Sequence, residues 1–165
     1  MYNELTAQDI AMMQKELDEK RLVELPAAIE EVKRTRAFGD LSENYEYKAA
    51  KQAQNACKKR IRYLERMIKS ATVIEDSADD DQVGLFDLVE LYMEEDDETE
   101  TVQVVTTVRC DPRQGRISKE SPMGKQLLGK QVGDRFEVTT ESGYSYFVKV
   151  QSITKSQDDG TAPIL

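Results

Sequence analysis

Apolar residues recur every three or four positions through the first part of the chain, which predicts a helix from about Thr6 to Arg36. Thr6, with Asp9 three residues later, is the predicted N-cap of this helix. The step from Leu17 to Leu22 is five residues long and breaks the spacing. We therefore expect a kink or a stutter at this point. The apolar positions before and after the break are Ile10, Met13 and Leu17, then Leu22, Leu25, Ile29 and Val32.

A second and more regular pattern runs from Tyr47 to Ala71, where the spacing alternates between three and four residues. This seven-residue repeat is typical of a coiled-coil seam. Two long helices joined by a few residues fold back as an antiparallel hairpin, here with arms about 40 Å long. A hairpin so thin buries little core, which favours a probe over an enzyme scaffold. The seam positions are Tyr47, Ala50, Gln54, Cys57, Ile61, Leu64, Ile68 and Ala71.

Beyond this repeat the pattern changes to short strands, which predicts a second domain of α+β class. We predict a coiled-coil hairpin over residues 1–75, an acidic linker over 76–82, the α+β domain over 83–154 and a disordered tail over 155–165. Ser121 is the predicted N-cap of a short helix in this domain, with Pro122 at its first position. The predicted antiparallel strands lie within 84–92, 99–108, 134–140 and 144–153, with a short strand over 116–118.

The composition narrows the possible chemistry. The chain has no histidine, which excludes Ser-His and Cys-His catalysis and most zinc sites. Cys57 and Cys110 are far apart and outside any C-x-x-C motif, so we interpret both as small hydrophobic residues. No apolar run approaches the ~20 residues that span a membrane, and the first residues do not resemble a signal peptide. We expect a cytoplasmic monomer without a membrane partner.

The charge is distributed unevenly. The net charge is −9, which argues against broad, non-specific DNA binding. Residues 32–74, however, carry 11 Lys and Arg against 4 Asp and Glu. A basic segment in an acidic chain indicates contact with nucleic acid or with a charged protein, although a solvated helix face is an equally good interpretation for any single residue. Arg36 and Lys51, nearest the predicted hairpin tip, are the candidates for contacting RNA phosphates.

Two carboxylates, Asp40 and Glu43, lie in the short connection between the helices. Carboxylates at an exposed tip suit Mg²⁺, which takes one or two of them and gets its other ligands from phosphates or a partner. The alternative is structural, because an acid followed three residues later by Glu also has the form of a helix N-cap. A cap and a metal-binding role are compatible. For Glu46 and Tyr47, just beyond, we favour a structural role.

Two motifs resemble the bacterial Gre family of transcript-cleavage factors. The first is Gly39-Asp40-Leu41-Ser42-Glu43-Asn44-Tyr45-Glu46-Tyr47, and its Ala-Ala-x-x-x-Gln continuation is closer to the GreA members than to the GreB members. The second is Ile117-Ser118-x-x-Ser121-Pro122-x-Gly124, continued by Leu127-Leu128-Gly129-Lys130-x-Val132-Gly133-Asp134. The resemblance extends from Leu5 to Ile153. It implies an N-terminal antiparallel coiled-coil hairpin and a small FKBP-like α+β domain.

The resemblance also implies a function. Members of the family insert the hairpin into the secondary channel of bacterial RNA polymerase and stimulate the polymerase to cleave backtracked RNA. Asp40 and Glu43 then match the residues that help hold a second Mg²⁺ in the polymerase active site, close to the nascent RNA 3′ end. No cofactor is expected to bind tightly to the isolated chain. Ser121, Pro122 and Met123 fall in a region that contributes to polymerase docking.

Two positions depart from the family pattern, and two other functions stay open. Phe38 stands where the family often has a polar residue, and Phe86 replaces an expected glycine in the first strand of the second domain. A channel-blocking regulator of the same shape would inhibit polymerase without stimulating cleavage. A binding or chaperone module unrelated to polymerase would rest on the FKBP-like domain alone. The intact pair of Asp40 and Glu43 favours the cleavage factor.

Overall fold

The computed structural model describes residues 3–39 and 44–165, which divide into two compact units. One unit is Ile10–Ala71, and the other combines the residues up to Asp9 with Thr72–Leu165. The predicted boundaries differ from this division. The residues before Ile10 and the stretch over 72–75 were expected in the hairpin, but both belong to the C-terminal unit, as does the predicted linker over 76–82.

The helical unit is the predicted antiparallel hairpin. Its first arm contains α1 (Ala7–Glu19) and α2 (Leu25–Arg36), and its second arm is α3 (Tyr45–Ser70). The two arms pack against each other along an apolar seam. A hydrogen bond from Arg60 Nε on α3 to Glu16 Oε1 on α1, at 2.7 Å, also connects them. No helix among the described residues is long and apolar enough to span a bilayer. The buried seam positions are Met13, Leu17, Val32 and Thr35 on the first arm, and Ala50, Gln54, Cys57, Ile61 and Leu64 on the second.

The expected irregularity in the first arm is a π-helical turn over Lys20–Glu24. From Leu17 to Leu25 the chain advances eight residues, one more than a heptad, and the wide turn accommodates the extra residue. The prediction that Leu22 lies on the seam is wrong. Leu22 is 76% exposed and Val23 is 65% exposed, because the π turn rotates both side chains away from α3.

The C-terminal unit is built on a five-stranded sheet of order β5-β4-β3-β7-β6. Alternate residues of its strands point into one apolar core that includes Val89, Leu91, Val104, Val148 and Val150. A separate pair of short strands, β1 and β2, completes the unit. The strands are β1 (Glu4–Leu5), β2 (Thr72–Val73), β3 (Leu88–Met93), β4 (Glu98–Val105), β5 (Arg116–Ser118), β6 (Arg135–Thr139) and β7 (Ser145–Thr154), and the helix is α4 (Pro122–Leu127).

The α+β class and the two strand hairpins are confirmed, with two corrections to the pairing. Strand β4 pairs with β5 in parallel, although β5 was expected to be antiparallel, and a further parallel pair is formed by β1 and β2. The β1–β2 pair was not predicted because each strand is only two residues long. Pairs so short carry no periodic signal, and tertiary contacts decide them.

The predicted disorder of residues 155–165 is wrong, because this segment packs on the C-terminal unit. Ala162 is buried, and the Leu165 N–H donates to the Val108 carbonyl at 2.8 Å. Lys155 Nζ donates to the buried Asp87 carboxylate at 2.7 Å. The polar composition of the segment hid these specific contacts.

Phe86 lies in the turn before β3 and not in a strand. Its backbone is left-handed, with φ of +66°, which explains why glycine is expected there. The side chain is nevertheless buried, and its ring lies under the Arg109 guanidinium at 5.1 Å. Burial and stacking therefore oppose the backbone strain at this position.

Candidate functional site

The two arms of the hairpin end beside each other. α2 ends at Arg36, and Gly39 follows with φ of +104°, a conformation that glycine adopts without steric cost. Asn44 precedes α3 on the other side. Asp40 and Glu43, the predicted metal-binding residues, lie outside the described residues, between Gly39 and Asn44.

Asn44 joins the ends of the two arms through both functional groups of its side-chain amide. Its Oδ1 accepts from the Tyr47 N–H at 3.0 Å, which makes Asn44 the N-cap of α3. Its Nδ2 donates to the Thr35 carbonyl, near the end of α2, at 2.7 Å. The alternative in which Asp40 caps this helix is wrong, since α3 begins at Tyr45.

Arg34, on α2 next to Thr35, contacts side chains on both arms of the hairpin. It donates to the Glu31 carboxylate at 2.9 and 2.6 Å, and this hydrogen bonding lowers the pKa of Glu31 and raises that of Arg34. Arg34 also lies 3.8 Å from Glu46 on α3 and 5.2 Å from the Phe38 ring centroid. Glu46 thus contacts Arg34, and its structural role stays a prediction. The Phe38 ring lies beside Arg34, although the Phe38 side chain is 56% exposed.

Seven of the eight cations of α3, all except Arg60, form a band that we call the basic stripe. Its members lie within about 100° of one another around the helix axis, on the side away from the seam. Arg36 and Lys51, the predicted RNA-contacting residues, are both exposed, and Lys51 Nζ donates to Gln54 at 3.3 Å. In the part of the chain that the structure describes, no member forms an ion pair. The members are Lys48, Lys51, Lys58, Lys59, Arg62, Arg66 and Lys69.

Ser121, Pro122 and Met123 have local structural roles in the C-terminal unit. The predicted cap is confirmed, since Ser121 Oγ accepts from the Gly124 N–H at 3.0 Å and Pro122 is the first residue of α4. Met123 packs against the apolar core. A Cβ on Gly124 would lie 2.1 Å from the Ser118 carbonyl oxygen, so only glycine fits there. All three residues remain partly exposed, and docking through them stays a prediction.

The sequence reasoning missed Asn44 and Arg34, the two residues that hold the hairpin end together. Asn is one of the strongest N-cap residues, so Asn44 before Tyr45 was a detectable signal. The more acidic Asp40 obscured it. The cross-arm contact of Arg34 with Glu46 had no local signal, because it depends on the register of the two arms. Within residues 3–39 and 44–165, no three candidate ligands are grouped as a metal site.

Comparisons with known proteins match both units to one family. Residues 3–73 match the model of the transcription elongation factor N-terminal domain, and residues 78–155 match the GreA/GreB C-terminal domain. Transcription elongation factor GreA of Staphylococcus carnosus is 38% identical over 149 residues, which cover 90% of this chain and 93% of the relative.

A second curated relative and a solved structure are also similar to the chain. Transcription elongation factor GreA of Staphylococcus epidermidis is also 38% identical over 149 residues, 90% of this chain and 94% of the relative. The crystal structure of GreA factor homolog 1 of Thermus thermophilus is 29% identical, covering 92% of this chain and 98% of that one with a TM-score of 0.42.

Proposed function

The chain belongs to the GreA/GreB family of transcription elongation factors, and from this premise we propose that it stimulates the transcript-cleavage activity of bacterial RNA polymerase. The hairpin would enter the secondary channel of the polymerase. The chain itself would act as an accessory factor, since the hydrolysis takes place in the polymerase active site on backtracked RNA.

The observation that supports this proposal most strongly is the construction of the hairpin end. α3 has 26 residues and is therefore about 39 Å long. Asn44 joins the two arms at the far end of this helix. Asp40 and Glu43 lie between Gly39 and Asn44, in the connection between the two arms. A long arm with two carboxylates in the connection at its far end suits delivery of ligands into a deep site.

Asp40 and Glu43 are the residues that would share a magnesium ion with the polymerase. Carboxylate oxygens are suitable ligands for Mg²⁺, and two of them leave positions for RNA phosphate and water. A magnesium ion held there would stabilise the attacking and leaving oxygens of the phosphodiester hydrolysis. The two carboxylates would also accept hydrogen bonds from the attacking water and orient it.

The basic stripe and Arg36 would attract the extruded RNA. Each cation that neutralises a phosphate releases counterions, so this contribution falls as salt rises. Lys51 lies within two turns of the start of α3, close enough to the tip to contact the RNA 3′ segment there. Ser121, Pro122 and Met123 would contribute to docking of the C-terminal unit.

The test uses backtracked elongation complexes with end-labelled RNA and full-length protein. Asp40→Asn and Glu43→Gln should each reduce the cleavage rate by about 10²-fold or more, as expected when a group that stabilises the transition state is removed. Glu46→Gln is the matched control, because Glu46 is also an acid near the tip but contacts Arg34. Binding to polymerase, measured by fluorescence anisotropy, should be unchanged in all three variants.

Two results would contradict the proposal. Full cleavage by Asp40→Asn and Glu43→Gln would show that the tip carboxylates are not needed. Binding of the wild-type protein without any stimulated cleavage would favour the channel-blocking regulator.

A further inference from the structure

The last ten residues form a strap that neither family match includes, since the second match ends at residue 155. The strap, residues 156–165, lies on the C-terminal unit. It starts where the Ser156 N–H donates to the Asp87 carboxylate at 2.9 Å. It ends where the Leu165 N–H donates to the Val108 carbonyl at 2.8 Å. Between these points, Ala162 is buried.

The central anchor of the strap is the fully buried guanidinium of Arg109. Its Nη1 and Nη2 each donate to the Asp158 carboxylate at 2.6 Å, a bidentate arrangement that is among the strongest pairings of charged side chains. Its Nε donates to the Ala162 carbonyl at 2.7 Å. The strap therefore supplies three of the acceptors around this buried cation.

The other acceptor of Arg109 comes from the first turn of α1. Asp9 is fully buried and accepts from Arg109 Nη1 at 3.0 Å. Asp9 and Thr6 form a reciprocal capping box, in which each backbone N–H donates to the other side chain, at 3.0 and 3.1 Å. Thr106 Oγ1 adds a third hydrogen bond to Asp9 at 2.7 Å. Arg109 thus bridges the strap and the beginning of α1.

We propose that residues 156–165 act as a clasp that holds the first turn of α1 on the C-terminal unit through Arg109. Opening the clasp would free that turn as one local step. The chain passes from the C-terminal unit into the hairpin at Asp9–Ile10, within α1, so the clasp acts at the root of the first arm.

The charges of the anchor allow the clasp to open without loss of the fold. Arg109 faces two carboxylates, Asp9 and Asp158. Removing the charge of Asp158 leaves a neutral pair of Arg109 and Asp9, so no charge remains buried without a partner. Asp9 also keeps its bonds from Thr6 and Thr106. We therefore expect a local effect and not general unfolding.

Hydrogen–deuterium exchange with mass spectrometry tests the clasp in the full-length protein. In Asp158→Asn, the peptides covering residues 3–9 and 156–165 should both exchange at least about tenfold faster, a change of about 1.4 kcal/mol in opening free energy. A peptide from β3 should keep its wild-type rate. Asp159→Asn is the matched control, because Asp159 is exposed on the same strap and accepts hydrogen bonds from Thr161, whereas among the described residues it forms no hydrogen bond with Arg109. Asp158→Glu, which retains the charge, should restore part of the protection.

Three results would overturn the clasp. Faster exchange in the strap alone would show that the first turn of α1 is held independently. An equal increase in β3 would show that the cluster belongs to the cooperative core and does not open locally. An equal effect of Asp159→Asn would show that Arg109 is not the anchor.

Discussion

Asn44 is the residue whose substitution most directly tests how the hairpin end is built. Its side chain performs two separable tasks, since Oδ1 caps α3 and Nδ2 holds the Thr35 carbonyl of α2. Replacing an Asn cap by Ala costs about 1 kcal/mol, and a net hydrogen bond contributes about another 1 kcal/mol. Asn44→Ala should therefore lower the unfolding free energy of the hairpin by about 2 kcal/mol.

Asn44→Ser separates the two tasks. Serine caps a helix about as well as asparagine, but its short hydroxyl side chain has no amide to reach Thr35. We expect a loss of about 1 kcal/mol, half the effect of Asn44→Ala. Urea unfolding followed by circular dichroism at 222 nm measures both values, because most of the helix lies in the hairpin.

Cleavage assays on the same variants connect the junction to the proposed function. A shift of about 1 Å in a catalytic group can cost about 10²-fold in rate. Asn44→Ser should therefore slow cleavage more than its small stability loss would suggest, with unchanged binding to polymerase. If Asn44→Ser matched the wild type to within about 0.3 kcal/mol and cleaved at the wild-type rate, the contact with Thr35 would have no role and the reasoning would fail.

Three further predictions concern stability and are all measured by urea unfolding. Leu22→Ser should change the unfolding free energy by less than about 0.5 kcal/mol, whereas Leu17→Ala should cost about 2–5 kcal/mol, and equal losses would refute the π-turn assignment. Phe86→Gly should destabilise the C-terminal unit by about 2–3 kcal/mol, because the lost burial exceeds the relieved strain, and a gain in stability would refute this balance. The hydrogen bond to Asp87 raises the pKa of Lys155. The ion pair between Lys155 and Asp87 therefore stabilises the fold below pH ~10.4, and this stabilisation is lost as pH rises further. The difference in unfolding free energy between wild type and Lys155→Met should shrink from pH 8 to pH 11. A constant difference would contradict the ion pair.

The helical hairpin was predictable because its seam is periodic. The heptad repeat of α3 placed Ala50, Cys57, Ile61 and Leu64 correctly, and all four are buried. The five-residue step after Leu17 correctly located the irregularity in the first arm. The sequence did not show how the chain would accommodate that step. The π turn turns Leu22 outward, and only contacts with α3 decide that outcome.

The strands of the C-terminal unit were predictable from the sequence, but the parallel pairing of β5 and the packing of the strap were not. Alternation of apolar residues located β3, β4, β6 and β7 to within a few residues. The parallel pairing of β5 and the packing of the strap depend on partners far away in the sequence. The bond of Arg109 to Asp9, for example, joins residues 100 positions apart. Short polar segments do not reveal such partners, so the disorder predicted for the strap was wrong.

The two most unusual features of the C-terminal unit meet at one side chain. Phe86 departs from the glycine expected in the family, and the strap lies beyond the family match. Arg109 stacks on the Phe86 ring at 5.1 Å and holds Asp158 of the strap at 2.6 Å. A guanidinium stacked on a ring loses less conformational freedom when it forms each hydrogen bond. A single buried Arg109 therefore accounts for both departures, because the ring orients the cation and the strap supplies its acceptors.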